Sequence, residues 1–328
     1  MTAAVPATMR AVAQEAYGGV ERLALADVPV PRPGAADVLV RVEAAALNPA
    51  DVFLMRGEPR VLRLAYGLRR PRRPVRGSDV AGTVVAVGER VTDLRVGDRI
   101  FGEARGSLAE YAVAPAAKVA VLPEAVPAAT AAAAVMTGLA AMHGLRAARL
   151  EPGQTLLVNG ASGGIGHLAV QLAAAQGATV TAVCSTRNVG WVGELGAARV
   201  VDYTREPVLD LDQRFDVVFD NVGNHALRDM LALVREGGVM LPNSGEPGPD
   251  GGGLRRVLRA RWLDLVTRRR VVTYLSTADR ADLEELGAML AAGSLRPHID
   301  SVHPLDRAAE AMGRVASRHA AGKVVVEP

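Results

Sequence analysis

The chain is poor in cysteine, lysine and aromatic residues. Cys184 is its one cysteine, so neither an intramolecular disulfide nor a cysteine-built zinc lobe can form, and a reducing, cytoplasmic location is expected. Of 38 basic residues only Lys118 and Lys323 are lysines. Together with abundant alanine, that arginine bias reads as the signature of a GC-rich genome. A formal charge of +3 and a pI near 9.3 are weak grounds for a nucleic-acid partner. Aromatics make up 3% of residues, too few for base-stacking platforms, so nucleic acid is not expected to be the ligand. The opening MTAAVPATMR has no basic n-region ahead of an apolar run and is not expected to act as a secretory signal. One long uncharged run, 125–145, approaches spanning length. Its alanine content, Pro127 and Gly138 predict an internal helix, and no membrane partner is expected.

What is present is apolar material for two cores: 328 residues, 49% hydrophobic. Between 9 and 122, short β-like runs (VLVRVEAAAL, VAGTVVAVG, YAVAPAAKVAVLP) alternate with proline and glycine turns, predicting a β-rich, barrel-like domain over 1–122. From 154 the pattern becomes strand, helix, strand (TLLVNG, GIGHLAVQLAAAQG, TVTAVCS, FDVVFDNVG, GVMLP) with helix-ending glycines at Gly177, Gly196 and Gly237. That alternation predicts a parallel sheet covered on both faces, a doubly wound α/β fold over 123–270. The segment 254–270 reads as an amphipathic helix with Leu254, Leu258, Trp262 and Leu265 inward and its arginines in water. VVTYL at 271–275 reads as the last strand of that sheet, and an exposed edge there predicts a homodimer. The tail, 271–328, is expected to return to the first domain through the strand GKVVVEP.

The most informative stretch is VNGASGGIG, where the first strand of the alternating region meets its first helix. Ala161, Gly163 and Gly166 form A-x-G-x-x-G, a variant of the dinucleotide fingerprint. Gly163 permits close approach of a pyrophosphate, Gly166 permits close packing of helix on strand, and the helix N-terminus presents N–H donors. At the end of the second strand, where a carboxylate would grip the ribose of NAD, stands Cys184, followed by Ser185 and Arg187. A hydroxyl and a guanidinium suit a 2′-phosphate, so NADPH is the expected cofactor. An ordinary exposed arginine at a helix start is the plainer reading of Arg187.

In order along the chain, LNPADVFLMRG (47–57), GSDVAGTVVAVG (77–88), VGDRIFG (96–102), MTGLAAMHGL (136–145), NGASGGIG (159–166), LGAARVVDY (195–203) and DNVG (220–223) resemble the zinc-independent medium-chain dehydrogenase/reductases of the quinone oxidoreductase and enoyl reductase branch. The resemblance implies a GroES-like β-rich catalytic domain joined to a Rossmann cofactor domain. It implies pyrophosphate binding by Ala161, Ser162, Gly163, Gly164, Ile165 and Gly166, and a 2′-phosphate site of Ser185, Arg187, Tyr203 and Arg318. It places Asn48, Asp51 and Thr137 near the nicotinamide, with Asn221, Val222 and Gly223, and Asn243 and Ser244, closing over it. Tyr203 packing beside the third strand, and Asn48 shaping a turn before Pro49, are the structural alternatives.

Zinc-dependent relatives place Cys in the slot of Asn48 and His in the slot of Ser78, so no metal is expected; the six histidines are scattered without ligand spacing. Without a metal to polarise it, the small-molecule substrate must be electrophilic already: a quinone, or the C=C of an α,β-unsaturated carbonyl such as an enoyl thioester or polyketide intermediate. Asn48 and Thr137 are candidates to hydrogen-bond the developing enolate, and Tyr66 is a candidate donor by its place in a variable loop. That loop, 58–79, carries Arg60, Arg63, Arg69, Arg70, Arg72, Arg73 and Arg76. It suits an anionic substrate or an acyl carrier protein, or it is simply solvated. The competing class is a nucleotide-binding module that binds RNA through its basic surfaces.

Overall fold

In the computed structural model, residues 5–243, 248–251 and 254–328 are described; Ser244 and Gly245 of the expected nicotinamide cover lie outside them. The chain folds as two units. One holds the described residues up to Leu139 together with Thr277–Pro328, the other Ala140–Ser276.

The first unit contains β1 (Thr8–Ala13), β2 (Ala24–Pro29), β3 (Asp37–Leu47), α1 (Pro49–Arg56), α2 (Arg63–Tyr66), β4 (Asp79–Val87), β5 (Arg99–Glu103), β6 (Tyr111–Pro115), β7 (Val119–Val121) and the first part of α3 (Ala128–Ala148). The second contains β8 (Thr155–Asn159), α4 (Gly166–Ala175), β9 (Thr179–Cys184), α5 (Val189–Gly193), β10 (Arg199–Asp202), β11 (Phe215–Asp220), α6 (Leu227–Ala232), β12 (Val234–Pro242), α7 (Leu254–Val266) and β13 (Arg270–Val271). The chain then returns to the first with α8 (Arg280–Ala291), β14 (Ile299–Pro304), α9 (Ala308–Ala316) and β15 (Lys323–Glu327).

Among the described residues the first unit has a two-stranded sheet, β1 with β2, and a sheet of order β14-β15-β3-β4-β5-β7, with β6 also on β3. Only β14 with β15 is parallel. β3 alternates little because most of its residues are buried: Val38, Val40, Val42, Ala45 and Leu47 join one core with Val80, Val84, Ile100 and Met312. Each such valine, leucine or isoleucine removed from water contributes about 1.5–3 kcal/mol before chain entropy opposes it.

In the second unit the sheet runs β10-β9-β8-β11-β12-β13 and is parallel throughout. The expected doubly wound sheet is present. Its central strands are buried along their length: β11, FDVVFD, is buried at every position, Asp216 and Asp220 included. Gly237 has φ +75° but lies within β12 and not at a helix end, because α6 stops at Ala232. The expected strand 271–275 is short: β13 is Arg270–Val271, Val272 adds one bond to Met240, and Leu275 is exposed. α3 is the one described helix long and apolar enough to cross a membrane, and 72% of its apolar window is buried.

The orientation of α7 corrects the sequence reading. Leu258, Trp262 and Leu265 face solvent, while Arg256, Ala260 and Leu263 are buried; the side chain of Leu254 lies outside the described residues. Arg256 turns inward because two buried acids await it: Asp220 Oδ2 accepts from its Nη2 at 3.0 Å, and Asp250 lies 3.8 Å from its Nη1. A charge removed from water demands such partners, and satisfying it outweighed the apolar periodicity.

Candidate active site

Three neighbouring strands of the first unit end at one place. Ala46 of β3 opposes Asp79 at the start of β4, and Leu47 opposes Val324 of β15. That register sets Asn48, Asp79 and Lys323 side by side. Asn48 has extended backbone (φ −131°, ψ 156°) and caps α1, with Pro49 in the first helical position, where its missing N–H costs nothing. The Asn48 N–H donates to Asp51 Oδ2 at 2.8 Å, half of a capping box.

The Asn48 side chain looks the other way. Its Nδ2 donates to Asp79 Oδ2 at 2.8 Å, and its Oδ1 accepts from Lys323 Nζ. Lys323 Nζ also lies 3.6 Å from Asp79 Oδ2, which receives the Met136 N–H at 3.3 Å. Asn48, Asp51, Asp79 and Lys323 are each no more than 3% exposed. Burial raises the Asp79 carboxyl and lowers the Lys323 ammonium, each opposed by the other's charge. Asp51 is pushed up to about 7, first by burial and then by the Asp79 charge, against the Asn48 N–H, Lys323 and Arg76. Arg76 is itself buried, and Asp51 is the chief charge sustaining its guanidinium. Asp79 Oδ1 has no hydrogen-bond partner.

Thr137 is buried on α3 next to Met136, and its hydroxyl donates to the Ala133 carbonyl at 2.9 Å. Tyr66 stands at the end of α2, 48% exposed, with no side-chain hydrogen bond to Asn48, Asp79 or Lys323. Of the loop arginines, Arg63 stacks on the Tyr17 ring at 4.5 Å, Arg76 is buried, and Arg60, Arg69, Arg70, Arg72 and Arg73 are exposed. Asp79 and Lys323 carry most of this cluster's chemistry and were not candidates from the sequence. That Lys323 is one of only two lysines in an arginine-rich chain was the available signal.

In the second unit, β8 ends at Asn159 and the chain turns through Gly160 (φ +80°) into α4. Ala161, Ser162, Gly163, Gly164, Ile165 and Gly166 form that turn. Ala161 is tied to the sheet by its N–H to Val183 O at 2.9 Å, and the Gly163 N–H closes back on Gly160 O at 3.0 Å. A Cβ on Gly166 would lie 2.2 Å from Gly160 O, so only glycine lets α4 begin so close to β8. His167 fastens the turn from behind through Nδ1 to Gly163 O at 2.8 Å.

At the end of β9, the Ser185 hydroxyl accepts from Asn188 Nδ2 at 3.1 Å and Arg187 is exposed on the turn that follows. Tyr203 leaves β10 half exposed, its N–H on Cys184 O at 3.1 Å. Cys184 is buried, its thiol pushed up to about 11 by burial and by Asp202, which makes it a poor nucleophile. Asp202 is an acid the sequence reading did not consider. Its oxygens accept from the Thr186 and Thr204 hydroxyls at 2.7 and 2.8 Å, and these bonds hold it below the usual range. Arg318 belongs to the other unit, exposed just after α9 with φ +61°.

Asn221, Val222 and Gly223 are shaped by Asp220, wholly buried at the end of β11. Its Oδ1 accepts from Asn159 Nδ2 (2.9 Å), Val222 N (3.2 Å) and Gly223 N (3.0 Å). Asn243 Nδ2 donates to Asn221 Oδ1 at 3.0 Å, which leaves Asn221 Nδ2 buried without a partner. A tight glycine turn at a helix start and an unpaired buried amide donor beside it fit a dinucleotide.

A parallel sheet with such a turn, alongside a β-rich unit carrying a buried amide–carboxyl–ammonium cluster, defines a nucleotide-dependent oxidoreductase. Residues 34–124 match the alcohol dehydrogenase GroES-like domain and residues 195–326 the zinc-binding dehydrogenase domain. The chain is 32% identical to NADPH-dependent alkenal/one oxidoreductase of Arabidopsis thaliana, covering 99% of this chain and 81% of that one. It is 33% identical to 2-methylene-furan-3-one reductase of Solanum lycopersicum, covering 99% and 80%. The solved quinone oxidoreductase of Coxiella burnetii superposes with a TM-score of 0.87 at 27% identity, over 98% of this chain and 99% of that one. The chain belongs to the medium-chain dehydrogenase/reductase superfamily, on its quinone oxidoreductase-like branch.

The description of one matching domain includes zinc, and the donors here do not fit that ion. The positions at which the family resemblance puts a thiolate and an imidazole in zinc-dependent relatives hold the amide of Asn48 and the hydroxyl of Ser78. The Lys323 ammonium already sits against Asn48 and Asp79. A divalent cation among the same donors would meet that charge across a few ångströms in a desolvated site.

Proposed function

We propose that this protein is an NADPH-dependent, zinc-independent reductase that adds hydride to a quinone or to the C=C of an α,β-unsaturated carbonyl, and that it works as a cytoplasmic homodimer. The carrying observation is the buried cluster of Asn48, Asp79 and Lys323. Its fixed charges are committed to one another, so it supports an acceptor that is electrophilic without Lewis-acid help. When bound, the reduced nicotinamide supplies a hydride from its C4. Everything else falls to the chain. The 161–166 turn orients the pyrophosphate, Ser185, Arg187, Tyr203 and Arg318 take the 2′-phosphate, and Asn221 offers its free amide hydrogens to a carbonyl oxygen. Asn48, pinned between Lys323 and Asp79, orients the acceptor; Thr137, whose hydroxyl hydrogen goes to the Ala133 carbonyl, must release that bond to donate to the developing enolate. Asp51, buried against the Asn48 N–H with its carboxyl pushed up to about 7, is a group near the cluster that can carry a proton at neutral pH.

The exposed arginines of 60–73 favour substrates with an anionic handle, including enoyl thioesters on an acyl carrier protein. The lone buried thiol supports a reducing compartment.

The decisive experiment is oxidation of NADPH and NADH by the purified protein against quinones, enones and enoyl thioesters, with and without chelator. Turnover preferring NADPH and indifferent to chelation is expected. Loss of turnover on chelation, restored by one equivalent of a divalent ion, would refute the zinc-independent reading. Strong preference for NADH would refute the assignment of Arg187.

A further inference from the structure

We propose that the outward face of α7 is a docking surface for an anionic lipid bilayer. The helix is built inside out. Arg256 lies within the unit between Asp220 and Asp250, with Ala260 and Leu263 on the same buried side. At 3.6 residues per turn, that face places Leu258 and Leu265 almost diametrically opposite it, with Trp262 alongside. Leu258 is 58% exposed, Trp262 57%, Leu265 82% and Val266 55%. Exposed leucines occur singly on most proteins; an aromatic and two aliphatics along one ridge of a 13-residue helix, with Val266 on its flank, do not.

The flanks of the ridge say what covers it. Arg255, Arg261, Arg268 and Arg270 are exposed, and Arg259, half-exposed, is paired with Asp250 at 2.9 Å. The one acid in the segment is Asp264, whose Oδ1 is tied to the Val271 N–H at 2.7 Å. Apolar side chains on the crest and guanidinium groups on the shoulders form the profile of a helix lying in a bilayer interface, its crest among acyl chains and its arginines level with anionic headgroups. A second copy of this chain fits less well. An isologous contact would set those arginines against their own symmetry mates with Asp264 the one acid on each side. Nucleic acid offers the arginines phosphate but leaves the leucine crest in water. Because α7 is not apolar overall it would lie on a bilayer and not cross it; this surface departs from the expectation, drawn from the sequence, of no membrane partner.

The test uses the full chain, without coenzyme, and vesicles of phosphatidylcholine with or without phosphatidylglycerol. Co-sedimentation with the anionic vesicles, weakened by salt, is expected. The emission of Trp262, read in a Trp191→Phe background, should shift to the blue on binding. Leu265→Asp should lower the partition coefficient tenfold or more, and Arg261→Gln or Arg268→Gln each about fivefold. Leu258→Glu, on the same crest, repeats the first comparison should Leu265→Asp fold poorly. NADPH oxidation with a water-soluble quinone should be unchanged in these variants, which separates lipid docking from the proposed reaction. The proposal is overturned by failure to bind anionic vesicles, by equal binding to neutral ones, or by binding that survives both crest substitutions. It is equally overturned by self-association that Leu265→Asp abolishes, or by capture of single-stranded RNA or an acidic protein in place of lipid that the crest substitutions also abolish.

Discussion

Replacing Lys323 by methionine keeps the length of the side chain and removes the cation paired with Asp79. The ammonium lies 3.6 Å from Asp79 Oδ2, and the two side chains are 2% and 1% exposed. At an effective dielectric of about 20, two unit charges at that distance attract by about 5 kcal/mol. Desolvation offsets much of this in the intact pair, but removing one partner leaves the other buried, at a cost of about 3–5 kcal/mol. For a unit of roughly 190 residues, that is a fall of about 6–20 °C in melting temperature. The loss must depend on pH. Burial already raises the Asp79 carboxyl, and without Lys323 it rises further, so the folded variant holds a proton that the unfolded chain releases. Its stability then falls as pH climbs from the ordinary carboxyl range toward the raised value, and the penalty is smaller at pH 5 than at pH 8. Urea denaturation of the parent, Lys323→Met, Asp79→Asn and the double variant at both pH values measures this. The double variant should recover about 2 kcal/mol relative to the sum of the singles. A cost below about 1 kcal/mol, a penalty indifferent to pH, or strictly additive losses would show that the pair is not the electrostatic centre of the cluster.

Arg187→Ala removes a charge-assisted bond of about 1.5–3 kcal/mol to a 2′-phosphate, so kcat/KM for NADPH should fall about 10- to 150-fold while that for NADH stays within about twofold; equal losses with both would remove Arg187 from the phosphate site. Gly166→Ala introduces a Cβ 2.2 Å from Gly160 O, where backbone must move. It should weaken NADPH binding at least about tenfold and cost about 1–3 kcal/mol of stability, measured by coenzyme fluorescence titration and thermal melting; an unaltered dissociation constant would contradict the close-approach role. Asp51 moves from 3.8 to about 7 on folding, so the folded protein retains a proton across that interval and this group lowers stability as pH rises through it. Asp51→Asn should therefore become more stable relative to the parent between about pH 4 and 7, with no further change above; a stability difference that is flat over that window would mean the carboxyl is ionised throughout.

Local chemistry was legible from the chain alone. The short turns, the glycine-rich junction at 159–166 and the buried strand β11 arise from near-neighbour geometry, and each sits where pattern and spacing set it. Asn48 was reached through the family resemblance; its place ahead of Pro49 suggested by itself no more than a turn. Its partners were not legible. Lys323 is 275 residues away and Asp79 is 31; the pairing of β15, β3 and β4 brings them together, and an isolated lysine or aspartate carries no mark of a buried neighbour. α7 shows the same limit more sharply, since hydrophobic periodicity assigns the inward face to Leu258 and Leu265, and the fold assigns it to Arg256.

Taken by itself, the order of residues along the chain determined the two kinds of architecture and the nucleotide turn, because hydrogen-bond spacing and glycine's freedom act over a few residues. Tertiary structure alone decided which charges would be stripped of water together, since desolvation depends on what distant segments bring to the same few ångströms.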